Sequence, residues 1–199
     1  MHCPYCQNPV REESPACPRC GLDMDKATAF FGAPPRLIQG VSDSAGVLSA
    51  GDTRTIRRAV REFERRFPQA GFTVAFMSLA KDTPAAAYAW WVFNRSNPAG
   101  ELRQASANRH VFLLVDTASR GAWLTVGYGL EPFVGAEQLR QCVEKGQPYF
   151  ARGEFAAGVA ALLKETEAVL RATVAALPRI YGLPAAMPGP EPEPAAAWQ

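Results

Sequence analysis

Hydrophobic positions along the chain reach their densest run at Val111-Phe112-Leu113-Leu114-Val115, which has no polar face. Such a run fits a strand buried on both sides of a sheet. Asp116, Thr117, Ser119 and Gly121 supply turn chemistry, and a second β-rich run follows at Trp123-Leu124-Thr125-Val126. Together they predict an antiparallel hairpin with a short loop. Gly127 and Gly129 bracket Tyr128 and are expected to let the backbone leave the sheet through angles other residues resist. Upstream, Ile56, Val60, Phe63 and Phe67 follow the 4-3-4 spacing of a helix stripe. That helix starts at Ser49, with Asp52 completing a capping box, and runs to about Phe67. Pro68 and Gly71 end it, and Phe72–Leu79 reads as the first core strand. Thr83-Pro84 opens the next helix. Ala87, Tyr88, Trp90, Trp91, Val92 and Phe93 make it apolar most of the way round, which is the pattern of a buried helix rather than a binding box. Asn94 to His110, with Pro98, Gly100 and Ser106, reads as a polar loop. After the hairpin, Gly135-Ala136 leads into a short helix through Leu139, Cys142 and Val143, closed by Gly153. Cys142, among apolar positions and with no partner cysteine, reads as a small buried residue. Phe155, Val159, Leu162, Leu163, Val169, Leu170, Val174 and Leu177 then trace a long amphipathic helix that stops before Pro178.

Alternating helices and strands of this kind predict an α/β three-layer sandwich, a mixed β-sheet flanked by helices on both faces. With 199 residues there is room for one such domain, expected over residues 41–180, and small appendages. The tail, residues 181–199, is proline-rich and expected to be disordered. Residues 27–40 read as a linker, because Gly32-Ala-Pro-Pro35 favours an extended path. Phe30 and Phe31 are apolar enough to pin that linker to a domain. With 21 basic and 19 acidic residues, the net charge of +2 does not announce a polyanion partner. No apolar run approaches a membrane span, and cysteines stand where a signal peptide would have its apolar region. These features predict a cytoplasmic protein.

Residues 1–26 change the picture. Cys3-Pro-Tyr-Cys6 and Cys17-Pro-Arg-Cys20 form C-x2-C-x10-C-x2-C. Zinc takes four soft, deprotonated ligands in a tetrahedron, and each C-x2-C turn offers two thiolates from one knuckle. Redox use of C-P-x-C relies on a single pair at a helix start after a strand, and nothing strand-like precedes Cys3. A segment this poor in apolar residues depends on metal for its folding energy. The expected zinc ligands are therefore Cys3, Cys6, Cys17 and Cys20. Arg11, Arg19 and Lys26 stand against Glu12, Glu13, Asp23 and Asp25, so the zinc ribbon is acidic. It lacks the basic, aromatic face of nucleic-acid ribbons, which points to docking on a protein partner or to structural use.

A second charged feature lies on the first long helix. Arg54, Arg58, Arg61 and Arg65 repeat at 4-3-4 spacing opposite the apolar stripe. A solvated face is the ordinary reading of such a stripe, and a dock for an acidic partner is the alternative.

The segment Phe112–Glu131, with its apolar strand, turn, second strand and Gly-Tyr-Gly-Leu-Glu, resembles the TPM domain. Val41-Ser-Asp-Ser-Ala-Gly-Val-Leu-Ser49 is similar to that family's opening motif, Val92-Phe-Asn-Arg95 to its Asn-bearing helix end, and Phe150–Gly158 to its penultimate turn. The resemblance covers about Val41 to Leu177. It implies a divalent-cation site of acidic residues, calcium or magnesium, with acid phosphatase activity in some plant members. It also implies an exported or membrane-tethered setting, from which this chain is expected to depart. Carried over residue by residue, the site would use Asp43, Asn108 and Glu131. Where the family has Asp-Asn-Gly this chain reads Asn108-Arg109-His110, which lowers the site's charge and predicts at most weak cation binding. His110 is expected in the loop beside that site. Three functions follow, in order: a binding or adaptor module, a metal-dependent acid phosphatase, and nucleic-acid binding through ribbon and Arg stripe.

Overall fold

The computed structural model describes residues 2–11, 13–97 and 108–180, with side chains up to residue 176. Pro98, Gly100, Ser106, the side chain of Leu177 and the tail 181–199 lie outside the described residues.

Among the described residues four strands form one sheet in the order β1-β2-β3-β4: β1 (Val41–Asp43), β2 (Gly71–Met77), β3 (His110–Asp116) and β4 (Gly121–Val126). β1, β2 and β3 are parallel, and β4 returns antiparallel beside β3, as the hairpin pattern requires. Among the described residues five helices cover the sheet: α1 (Met24–Phe31), α2 (Ala50–Arg66), α3 (Ala85–Arg95), α4 (Ala136–Arg152) and α5 (Phe155–Ile180).

Alternation along the strands sends side chains to two separate cores. Phe72, Val74 and Phe76 of β2 join Val111, Leu113 and Val115 of β3 on one face, under Ile56, Val60 and Phe63 of α2 and the apolar faces of α4 and α5. Ala75, Met77, Phe112 and Leu114 point the other way, toward Ala89, Trp91 and Val92 of α3 and Ala27 of α1. Every residue of β3 is buried, as its unbroken apolar run predicts. The stripe Ile56, Val60, Phe63, Phe67 is buried throughout, and the Ser49–Asp52 capping box is complete. The mixed three-layer sandwich is thus the fold.

Both crossovers, β1–α2–β2 and β2–α3–β3, step across the sheet in the same direction, yet their helices cover opposite faces. They must therefore differ in hand. One of them is left-handed, against the strong right-handed preference of such units.

Several expectations are corrected. Val41–Asp43, read only as part of a motif, is a strand, so Phe72–Leu79 is not the first. Met24–Phe31, most of it within the expected linker, is a helix capped by Asp23, whose side chain accepts from Lys26 N–H. Phe31 packs edge-on against Tyr88 and tilted against Trp91, and the Trp91 indole N–H donates to Thr28 Oγ1 at 3.1 Å. Phe30 is 71 % exposed and meets the neighbouring Phe31 ring edge-on. α4 is not short: it runs 17 residues through Gly146 and Pro148, and α5 continues past Pro178 to Ile180. Gly127 and Gly129 do not have positive φ. What Gly129 supplies is room, since a Cβ there would lie 2.9 Å from the Asn108 carbonyl oxygen.

Candidate functional site

The four N-terminal cysteines converge. Their sulfurs lie within 4.8 Å of one another, with Cys3 Sγ 3.6 Å from Cys20 Sγ and Cys6 Sγ 3.6 Å from Cys17 Sγ. A tetrahedron with Zn–S bonds of about 2.3 Å has S–S edges of about 3.8 Å, so the spacing fits the ion.

Two matched backbone turns create this geometry. In the first, Cys3 N–H donates to Asn8 O and Gln7 N–H to Cys3 O; in the second, Cys17 N–H donates to Leu22 O and Gly21 N–H to Cys17 O. The residue after each second cysteine is left-handed, Gln7 at φ 58 and Gly21 at φ 67. The two knuckles are thus copies of one turn, one built with the residue suited to that φ and the other without it.

Crowding four thiols splits their acidities. The Cys20 backbone N–H, ahead of a weaker opposing desolvation, draws the Cys17 thiol down to about 6. At Cys20 the Leu22 N–H favours the thiolate, but desolvation and the three neighbouring sulfurs push it up to about 12. A divalent cation would relieve that mutual repulsion. The cluster could hold a metal ion such as zinc, with all four positions filled by protein.

The carboxylates expected at a second site do not converge. Asp43 ends β1 and pairs with Phe76, in the row of Val115. Asn108 precedes the opposite end of β3, where its carbonyl accepts from Gly129 N–H at 2.7 Å, and Glu131 follows that same turn. From the His110 row to the Val115 row is five residues, roughly 16 Å of strand. Asn108 and Glu131 share one end of the sheet and Asp43 stands at the other, because β1 runs parallel to β3. Asp43 binds its own loop instead: its carboxylate accepts from Val47 N–H at 3.2 Å and Leu48 N–H at 2.8 Å. Asp116 is at Asp43's end of the sheet, away from Asn108 and Glu131. It accepts from the N–H groups of Leu79, Ala118 and Ser119 and from the Ser119 hydroxyl. Those bonds outweigh its desolvation and hold its carboxyl below the usual range. Among the described residues, the cysteines are the one group of three or more metal-ligating side chains that converges.

A family model for the TPM domain matches residues 41–169. The chain belongs to the TPM domain family. Solved structures agree on the TPM fold. The N-terminal domain of a protein from P. gingivalis superposes with a TM-score of 0.56 at 19% identity, over 74% of this chain and 88% of that one. The BA42 protein of the psychrophilic bacterium Bizionia argentinensis gives 0.53 at 17%, over 63% and 83%. The N-terminal domain of the Corynebacterium glutamicum protein cg2496 gives 0.50 at 14%, over 67% and 81%. No curated protein matches. The cysteine module and α1 lie outside the TPM match.

Within the TPM domain the motif Val41–Ser49 has a structural account: a short parallel strand, a loop closed by Asp43, and a helix cap at Ser49. His110 is not in a loop. It opens β3 at 1% exposure, with Nε2 3.0 Å from Thr73 Oγ1 and Nδ1 without a hydrogen-bond partner. Burial draws its pKa down to about 4, so the ring is neutral near pH 7. Its ring lies over Gly71, where a Cβ would come within 2.3 Å of Nδ1. Arg54, Arg58, Arg61 and Arg65 are all exposed, and Arg58 pairs with Glu62 at 3.1 Å. No helix among the described residues is long and apolar enough to cross a membrane.

Proposed function

We propose that this TPM-family chain is a docking protein of the cytoplasm, in which a zinc ribbon held by Cys3, Cys6, Cys17 and Cys20 is fixed to an α/β domain that engages a protein partner. One observation carries the reading. The converging ligand set is a four-thiolate one, which closes a metal's coordination sphere and leaves no position for substrate, while Asp43 stands at the opposite end of the sheet from Asn108 and Glu131. Two or three carboxylates on one ion are what metal-assisted phosphoryl chemistry needs, and Asp43 and Asp116 are each engaged by their own loops. The exposed arginines of α2 are a second contact surface for an acidic partner.

The test pairs two measurements on the full chain. Turnover of p-nitrophenyl phosphate, with and without added calcium or magnesium, is expected at the buffer rate. Cross-linking capture from the native cell is expected to yield a protein that re-forms a stoichiometric complex when purified. Cation-dependent turnover abolished by Asp43→Ala would establish the phosphatase instead.

A further inference from the structure

Among the described residues β4 ends the strand order, so one of its edges has no described strand beside it. Gly127 N–H donates to His110 O, and bonded pairs alternate with non-bonded ones in an antiparallel ladder. Thr125↔Phe112 and Trp123↔Leu114 continue the bonded set. Ala122, Leu124 and Val126 therefore turn their N–H and C=O groups away from β3, and no backbone bond among the described residues uses them.

A groove of about 680 Å³ runs along this edge, a size ordinary for a binding cleft. Trp90 and Phe93 of α3 wall it on one side, Leu139 of α4 on the other, and Val10 and Pro15 of the cysteine module close it above. Asp23 lines it beside Cys3 and Cys17, and among the described residues no Lys or Arg does.

Main-chain groups repeating every second residue along an open edge match an extended chain, which adds as another strand. Apolar walls ask for apolar side chains, and the Asp23 carboxylate beside the cysteine sulfurs asks for a cation. We propose that the β4 edge docks an extended segment of a partner protein, apolar at alternate positions and bearing Lys or Arg, as a fifth strand. This rests on the docking-protein reading and gives it a site. The chain's own tail is a poor occupant: it carries Glu191 and Glu193, no Lys or Arg, and Pro184, Pro188, Pro190, Pro192 and Pro194 lack the N–H a ladder needs. A second folded copy would bring its own α3, α4 and module against these walls, whereas a single strand fits between them.

The probe is acetyl-Lys-Val-Lys-Val-Lys-Val-amide, titrated into the ¹⁵N-labelled, zinc-loaded full chain with amide exchange followed by NMR. Exchange at Leu124 and Val126 is expected to slow about tenfold or more, while Trp123 and Thr125, already bonded to β3, change little. N-methylating either the three valines or the three lysines blocks one edge of the peptide, and one of the two is expected to bind at least about tenfold more weakly. Ala122→Pro, which removes an outward N–H and no ladder bond, is expected to weaken the probe similarly. Absence of binding at about 1 mM, equal binding of both N-methylated peptides, or protection centred on Tyr5 and Phe30 overturns the proposal. So does protection of Leu124 and Val126 without peptide that disappears on dilution or on removal of residues 181–199, which would mark a second copy or the tail as occupant. Phosphomonoester turnover would end the docking-protein reading whatever the groove does. A purified partner whose cross-links avoid β4 would end the groove assignment alone.

Discussion

His110 gives the domain an acid sensitivity that can be worked out in advance. Its imidazole is buried, its folded pKa is about 4, and an unfolded histidine titrates near 6.5. Between those values the unfolded chain binds the proton and the folded one does not, so stability is fully present above pH 6.5 and falls as pH drops toward 4. The complete difference is about 3 kcal/mol, and about 2 kcal/mol of it is already lost at pH 5. That is a large part of an ordinary domain's stability. The chain has only two histidines, and His2 is exposed at the module's start, so the effect is assignable. The comparison protein carries His110→Leu with Thr73→Val, which removes both partners of the buried hydrogen bond; the Gly40 N–H contact to Thr73 Oγ1 at 3.4 Å is lost as well, at a cost that does not change with pH. Urea unfolding followed by tryptophan fluorescence at pH 7.5 and pH 5 measures both proteins. The wild type is expected to lose about 2 kcal/mol more than the double variant over that interval. Equal losses, within about 0.5 kcal/mol, would refute the reasoning and mean that the ring is solvated or finds a counter-charge when protonated.

Other outcomes follow from the same geometry. Protein prepared without chelator is expected to carry one equivalent of zinc by elemental analysis, and less than half an equivalent with four free thiols would defeat the assignment; stripping the metal should unfold the module and leave the α/β core standing. Gly158→Ala would place a Cβ 2.4 Å from the buried Phe150 ring, so the overpacking cost of about 1–3 kcal/mol should outweigh the roughly 1 kcal/mol gained in helix propensity, a net loss visible in thermal melts. Arg58→Glu with Arg61→Glu is expected to change stability by no more than about 1 kcal/mol while altering partner capture, and unfolding of the double variant would contradict the exposed stripe. Asp43→Ala should cost about 1–3 kcal/mol through its lost loop bonds, with calcium leaving the melting temperature of both proteins unchanged.

How much of this was legible depended on whether a residue's role was local. The stripe Ile56–Phe67, the buried β3 and the Ser49–Asp52 cap follow from spacing within one element, and they stand as read. The four cysteines were legible for the same reason, since a C-x2-C knuckle is a local turn. β1 was not, because three residues carry no period and owe their conformation to pairing with β2. α1 owes its place to Phe31 and Thr28 meeting α3, contacts some sixty residues away in sequence. His110 read as loop because a polar residue beside Asn108 and Arg109 looks solvated; its burial depends on Gly71 and Thr73 of the neighbouring strand. The split between Asp43 and Glu131 was the least accessible, since strand direction in a parallel sheet is set by topology and not by any motif.

The two sheet faces are also completed at different times in synthesis. One is covered by α1 and α3, which precede β3 in the chain, whereas the other waits for α4 and α5. The bond from Arg66 to Glu167 at 2.5 Å closes a span of 101 residues. A nascent chain that has just released β4 therefore presents Phe72, Phe76 and Leu113 under α2 alone. At ordinary elongation rates that state persists on the order of seconds. Phe63, Phe72 and Phe76 then lie in reach of other nascent chains, so the ribosome-bound intermediate, more than the finished protein, is where chaperone dependence and aggregation should concentrate.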